Sequence, residues 1–106
     1  MARAATKTFS WNASASPDTA TYFVYAAPEA NPINYVTEHV DVGNVTSVDL
    51  GALADGGYTP LVGADGVYNL GVSAVDGLGN ESDIAVKPSV PLDFVPPAAP
   101  TNLQVL

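Results

Sequence analysis

Nine glycines and nine prolines are spread through the 106 residues, so one or the other interrupts the chain every few positions. Glycine costs helix stability, and proline removes a backbone donor and clashes with the preceding turn. Between these interruptions no window of about a dozen residues keeps the apolar period of a helix. Extended structure joined by turns is what remains, and the abundance of Val, Thr and Tyr in short alternating runs suits pleated strands. The expected class is all-β.

Alternation places the strands. In Thr6–Trp11, Phe9 and Trp11 fall on one face and Thr8 and Ser10 on the other, and the polar stretch Asn12–Asp18 follows as a turn. In Thr21–Ala26, Tyr22, Val24 and Ala26 share a face, and Pro28–Pro32 ends the run. The more polar Ile33–Val42 reads as an edge strand closed by Gly43-Asn44. Thr46, Val48 and Leu50 line one face of a short strand, and Tyr68, Leu70, Val72 and Ala74 line one face of Val67–Asp76. After a turn at Gly77–Asn80 comes a last extended piece around Ile84–Val95, which Pro88 and Pro91 mark as an edge strand or an irregular one. Six strands with turns between them predict a Greek-key sandwich. Its expected core is Phe9, Trp11, Tyr22, Val24, Val48, Leu50, Leu70, Val72 and Ala74.

Charge and composition narrow the partners. Only Arg3, Lys7 and Lys87 are basic against eleven acidic residues, a formal net charge of -8. Three scattered cations cannot make the patch a phosphate backbone requires, so nucleic acid is not expected as a partner. The longest apolar run, Tyr22–Pro28, is far short of the ~20 residues that span a bilayer. Membrane insertion is therefore not expected either. Zero cysteines exclude a disulfide framework and thiolate chemistry. The six residues from Met1 to Thr6 carry no apolar core of a signal peptide, so if the protein is exported its signal lies elsewhere.

No catalytic set, cofactor site or metal site is expected. His39 is the single histidine. It has Glu38 and Asp41 nearby in sequence, but no Gly-x-Ser-x-Gly elbow accompanies it, and Thr37 carries no mark of an activated nucleophile. Asp55-Gly56, Asp65-Gly66 and Asp76-Gly77 each offer one carboxylate beside glycine, without the spacing of a calcium loop. Asp-Gly pairs are expected to make turns instead. Gly77-Leu78-Gly79 lacks the strand-to-helix setting of a phosphate cradle.

Several segments in this order resemble the fibronectin type III family. Thr8-Phe9-Ser10-Trp11 resembles its second strand, whose tryptophan packs centrally, and Thr21-Tyr22-Phe23-Val24-Tyr25 resembles its third. The most specific match is Val67–Ser82, which resembles the sixth strand and following turn in the form Tyr-x-x-x-Val-x-Ala-Val-Asp-x-x-Gly-Asn-Glu-Ser common in bacterial modules. The resemblance runs from about Thr6 to Val95. It implies an immunoglobulin-like Greek-key β-sandwich in an extracellular or cell-surface protein, joined to neighbouring modules and contacting a protein or glycan.

Two departures from that pattern shape the functional expectations. The loop from Leu53 to Val67 is enlarged, and its Tyr58, Leu61 and Val62 need a place to go. With Phe23 and Tyr25 on the outward face and Tyr35 on the neighbouring edge, they form a candidate partner surface. The family's first strand is also missing at the start, or supplied by another chain. A segment of that type occurs instead after a sandwich of residues 1–95, where residues 96–106 read as a Pro-rich linker and the first-strand-like segment of a following module. About five linker residues at ~3.3 Å each fall short of the roughly 30 Å back to the vacant slot. The segment Leu103–Leu106, with Leu103 and Val105 as its apolar residues, is expected to hang free or to exchange into another molecule, giving a homo-oligomer. The resemblance thus implies a non-catalytic spacer or protein-interaction module. The rivals are a carbohydrate-contacting accessory module of a polysaccharide-degrading enzyme and self-association at the open sheet edge.

Overall fold

A computed structural model describes residues 2–105. The described residues form six strands: β1 (Thr8–Ser10), β2 (Thr19–Pro28), β3 (His39–Gly43), β4 (Ser47–Asp49), β5 (Asp65–Asp76) and β6 (Ala85–Asp93). They make two antiparallel sheets, one of β1 and β4 and the other ordered β3-β2-β5-β6. The expected strands are all present, although the first is shorter than Thr6–Trp11 and Leu50, expected at the end of the fourth, lies beyond it in a helix. Of Ile33–Val42, only the part from His39 pairs with β2, from Tyr25 opposite His39 to Tyr22 opposite Gly43.

The two sheets face each other across an apolar core, because one face of each strand carries its apolar residues. Tyr22, Val24 and Ala26 of β2 and Leu70 and Val72 of β5 are buried, with Phe9 and Val48 of the small sheet packed against them. Phe9, Trp11, Val48 and Ala74, expected as core, are only partly buried. The small sheet has two strands against four, so it cannot cover the whole opposite face.

Helix was not expected, yet a short one forms. α1 (Leu50–Asp55) begins where Asp49 turns its carboxylate back to accept the Gly51 amide at 2.9 Å. That carboxylate also accepts the Lys7 amide at 3.0 Å, tying the start of the helix to the chain entering β1. An N-cap of this kind satisfies donors that a helix end leaves unpaired, so even six residues can turn here. Gly56 and Gly57 end it, Gly57 with φ of +90°, and a single 3₁₀ turn at Thr59–Leu61 follows. The enlarged loop thereby folds inward. Tyr58, Leu61 and Ala64 join Leu50, Ala54, Leu92 and Phe94 in a cluster that plugs one end of the sandwich. This corrects the expectation for Tyr58 and Leu61, which are 8% and 0% exposed and offer no partner surface. Val62 alone of the three stays outside, at 56%.

Beyond Phe94, whose amide donates to the Ala64 carbonyl at 2.7 Å, residues 95–105 are exposed and belong to no strand or helix. Leu106, part of the expected exchange segment, lies outside the described residues.

Gly51 is the tightest joint. A Cβ there would lie 1.9 Å from the carbonyl oxygen of Ala5, so the entering chain can cross the helix only over glycine. Gly51→Ala should cost roughly 1–3 kcal/mol, as overpacking against backbone does. The exposed neighbour Ala52→Ser should leave the urea midpoint nearly unchanged. Equal midpoints for the two variants would show that the entering chain does not cross α1.

Candidate functional site

The outward face of the larger sheet gathers the polar and aromatic groups that chemistry could use. Along β2, Thr21, Phe23 and Tyr25 project away from the core. The register sets Tyr25 opposite His39 and Phe23 opposite Asp41 on one side, and Tyr25 opposite Gly71 and Phe23 opposite Ser73 on the other. Cross-strand neighbours on one face touch. The Phe23 and His39 rings stack at 4.3 Å with 22° between their planes, and Tyr25 meets His39 at 5.3 Å.

Connections cover half of this face. Ile33, from the link between β2 and β3, and Ile84, from the link between β5 and β6, close over Gly71. A Cβ at Gly71 would sit 2.8 Å from Ile84 Cγ2 and 3.0 Å from Ile33 Cγ2, so the absence of a side chain here makes room for both. Tyr35 fastens the two connections together, its hydroxyl donating to the Ser82 carbonyl at 2.8 Å. Beneath them Tyr25 is 0% exposed. This corrects its placement on an open aromatic surface: alternation pointed it outward, and the loops then buried it.

Burial forces the polar atoms to find partners. The Tyr25 hydroxyl donates to Glu81 Oε2, and Ser73 Oγ donates to the same oxygen at 2.5 Å. Burial first, and then the hydrogen bond to the Glu81 carboxylate, push the Tyr25 hydroxyl up to about 12. At the plugged end, Tyr58 donates to the Glu38 carbonyl at 2.7 Å, and burial likewise raises its hydroxyl above the ordinary value.

Of the three Asp-Gly pairs expected to make turns, Asp65-Gly66 instead opens strand β5, and the carboxylates of the other two hold backbone. Asp55 accepts the Ala4 amide at 3.0 Å. Asp76 accepts the Leu78 and Asn80 amides, each at 2.9 Å, and the Asn80 side chain. Those bonds keep the Asp76 carboxyl below its usual range. Asp41 is lowered in the same way by Thr21 Oγ1 and the Gly43 amide. No three histidine or acidic groups converge into a metal-holding cluster among the described residues.

Among the clefts of the described residues, three bear on the candidate residues and the sheet edges. One of about 320 Å³ lies between β3 and α1, lined by Glu38, His39, Leu53 and Tyr58. Two others lie where the sheets meet along β1 and β6: about 340 Å³ beside Trp11, Val72, Ala74 and Ala85, and about 350 Å³ beside Thr6, Lys7, Leu92 and Phe94. Of the candidate partner residues, the structure leaves Tyr35 at 55% exposure, Val62 and a half-buried Phe23 at the surface, without bringing them into one patch with Tyr25, Tyr58 and Leu61. Glu81, Ser73, Ile33 and Ile84 form the outward cluster instead. The glycine at position 71 inside a clear strand was its only sequence signal. Comparison with protein-family models, curated proteins and solved structures finds no match to this chain.

The raised Tyr25 hydroxyl has a consequence at alkaline pH. The folded state holds this proton after the unfolded chain has released it near 10, so the unfolded state binds fewer protons and stability falls as pH rises from 10 towards about 12. Urea unfolding at steps across that window should show the decline, and Tyr25→Phe should make it shallower. Tyr58 supplies part of what remains. An identical slope in the variant would mean that folding does not hold the Tyr25 proton.

Proposed function

We propose that this chain is a non-catalytic module of the fibronectin type III kind, serving as a spacer or protein-interaction domain in a larger exported or cell-surface protein. The observation that carries the reading is strand order. In an immunoglobulin-like Greek key the second strand pairs with the fifth, and the third, sixth and seventh lie side by side in the other sheet. Counting β1 as the second strand gives β1 beside β4 and β2, β5, β6 in sequence, with β3 at the edge. Such a fold hosts many roles, so function must come from its surface.

That surface supports a module more than an enzyme. His39 stacks on Phe23, Glu81 takes two hydroxyls, and Asp41, Asp55 and Asp76 hold loops and turns. These groups already have structural work. The glycan-contacting alternative is less favoured, because Tyr25 and Tyr58 are buried and the Tyr35 hydroxyl is bonded to Ser82.

The full-length gene product is the test. Further sandwich modules, a surface anchor or an export signal flanking these residues is the expected outcome, together with recovery of the native protein outside the cytoplasm. A native protein confined to the cytoplasm, with none of these flanks, would overturn the reading. A glycan array should give no signal; binding abolished by Tyr35→Ala would move the chain to the accessory-module class.

A further inference from the structure

One side of the small sheet is unfinished. Trp11 donates its amide to the Thr46 carbonyl at 2.9 Å, and Leu50 donates to the Lys7 carbonyl at 2.8 Å. In an antiparallel ladder paired residues alternate, so positions 7, 9 and 11 turn their backbone groups towards β4, and Thr8 and Ser10 turn theirs away. No other strand pairs with β1 among the described residues. Its outer edge therefore presents a short row of unpaired donors and acceptors, which is a template for another strand.

The edge borders an opening between the sheets. At one end Lys7 Nζ spans it to the Pro91 carbonyl at 2.8 Å. At the other, the floor is Trp11, Tyr22, Val72, Ala74 and Ala85. Here Trp11 Nε1 is buried and meets no acceptor, an arrangement that native interiors rarely leave standing.

The chain carries a segment of matching chemistry. Leu103 and Val105 alternate with Gln104, and they are 84% and 103% exposed. Nothing between Phe94 and Val105 is charged, so the segment adds no repulsion against a body of net charge -8. It cannot pair antiparallel with its own β1. Trp11 faces the Ala85 end of β6, whereas the tail leaves from the Asp93 end, and nine strand residues separate the two by roughly 30 Å. Residues 95–102 reach at most about 28 Å fully extended, with nothing left to round the edge.

We propose that residues Thr101–Val105 of one copy add as an antiparallel strand to the β1 edge of a second copy, with Leu103 and Val105 entering the opening beside Trp11. A single short strand buries less than the ~1,200 Å² of a stable interface, so the exchange is reciprocal and closes a two-fold dimer. This names a partner for the interaction module proposed above and rests on that reading. A chain that stays monomeric would still serve as a spacer.

Trp11 is the only tryptophan, so its emission reports on the opening directly. Light scattering and fluorescence across a concentration series should show the mass doubling together with a blue shift, and salt should strengthen the association by screening the like charges. Hydrogen exchange at the Thr8 and Ser10 amides should slow over the same range. Leu103→Asp combined with Val105→Asp should keep the monomer mass, with unchanged unfolding at low concentration because the tail packs on nothing in its own chain. A tail-deleted chain given a peptide of residues 96–106 should recover the blue shift without the doubling. A full-length chain that remains monomeric to millimolar concentration overturns the proposal. So does a tail-deleted chain that still dimerises, since β1 would then be pairing with β1.

Discussion

The pairing of β2 with β5 is the constraint on which the rest of the molecule depends. It runs through nine register pairs from Thr19 opposite Asp76 to Pro28 opposite Tyr68, and both strands are buried on both faces over their centre. Inward, Val24 and Val72 meet the small sheet; outward, Tyr25, Gly71 and Ser73 lie under the two connections. A slip of one residue would exchange these sets and push the Tyr25 hydroxyl into an apolar core. The inner and outer faces therefore specify the same register.

Polar groups in this small protein fasten the irregular parts to that central pair. Glu81 is held by Tyr25 and Ser73, which anchors the turn after β5 to the sheet. Tyr58 reaches from the end of α1 to the carbonyls of Glu38 and Val24, at 2.7 and 3.3 Å. Asp49 ties α1 to the chain entering β1. The bonds from Tyr25 to Glu81, from Tyr58 to Glu38 and Val24, and from Lys7 to Asp49 link segments far apart in sequence, and those of the buried Tyr25 and Tyr58 hydroxyls satisfy groups whose burial would otherwise be costly. The contrast is the β1 edge, where no strand pairs on the outer side and one indole nitrogen goes without a partner among the described residues. Cohesion is concentrated on one side of the sandwich, and the other side remains open to a neighbour.

Strand positions were legible because period-two alternation is a local property. Tyr68, Leu70, Val72 and Ala74 reveal their common face without knowledge of what lies opposite. The α1 turn was not legible. Six residues carry too little periodicity to register, and its stability comes from the Asp49 cap and the buried Leu50 and Ala54. The candidate surface failed for a related reason. Alternation says that Tyr25 points away from Tyr22 and Val24, but whether that direction ends in solvent depends on Ile33 and Ile84, eight and fifty-nine positions away in the chain. Tyr58 and Leu61 read as loop residues without a destination, and a glycine-ended helical turn carried them inside.

The amino-acid pattern alone was enough to establish that the chain is built of strands joined by turns, because glycine and proline forbid long helices and alternation selects the pleat. It also determined which side chains share a face, and that a net charge of -8 leaves no basic patch for a polyanion. Which faces are covered was settled by the assembled fold, since burial depends on segments distant in the chain meeting at one place. That meeting put Tyr25, Tyr58 and Leu61 inside, drew Glu81 onto two hydroxyls, and left the edge of β1 and the apolar pair Leu103 and Val105 exposed in the same molecule.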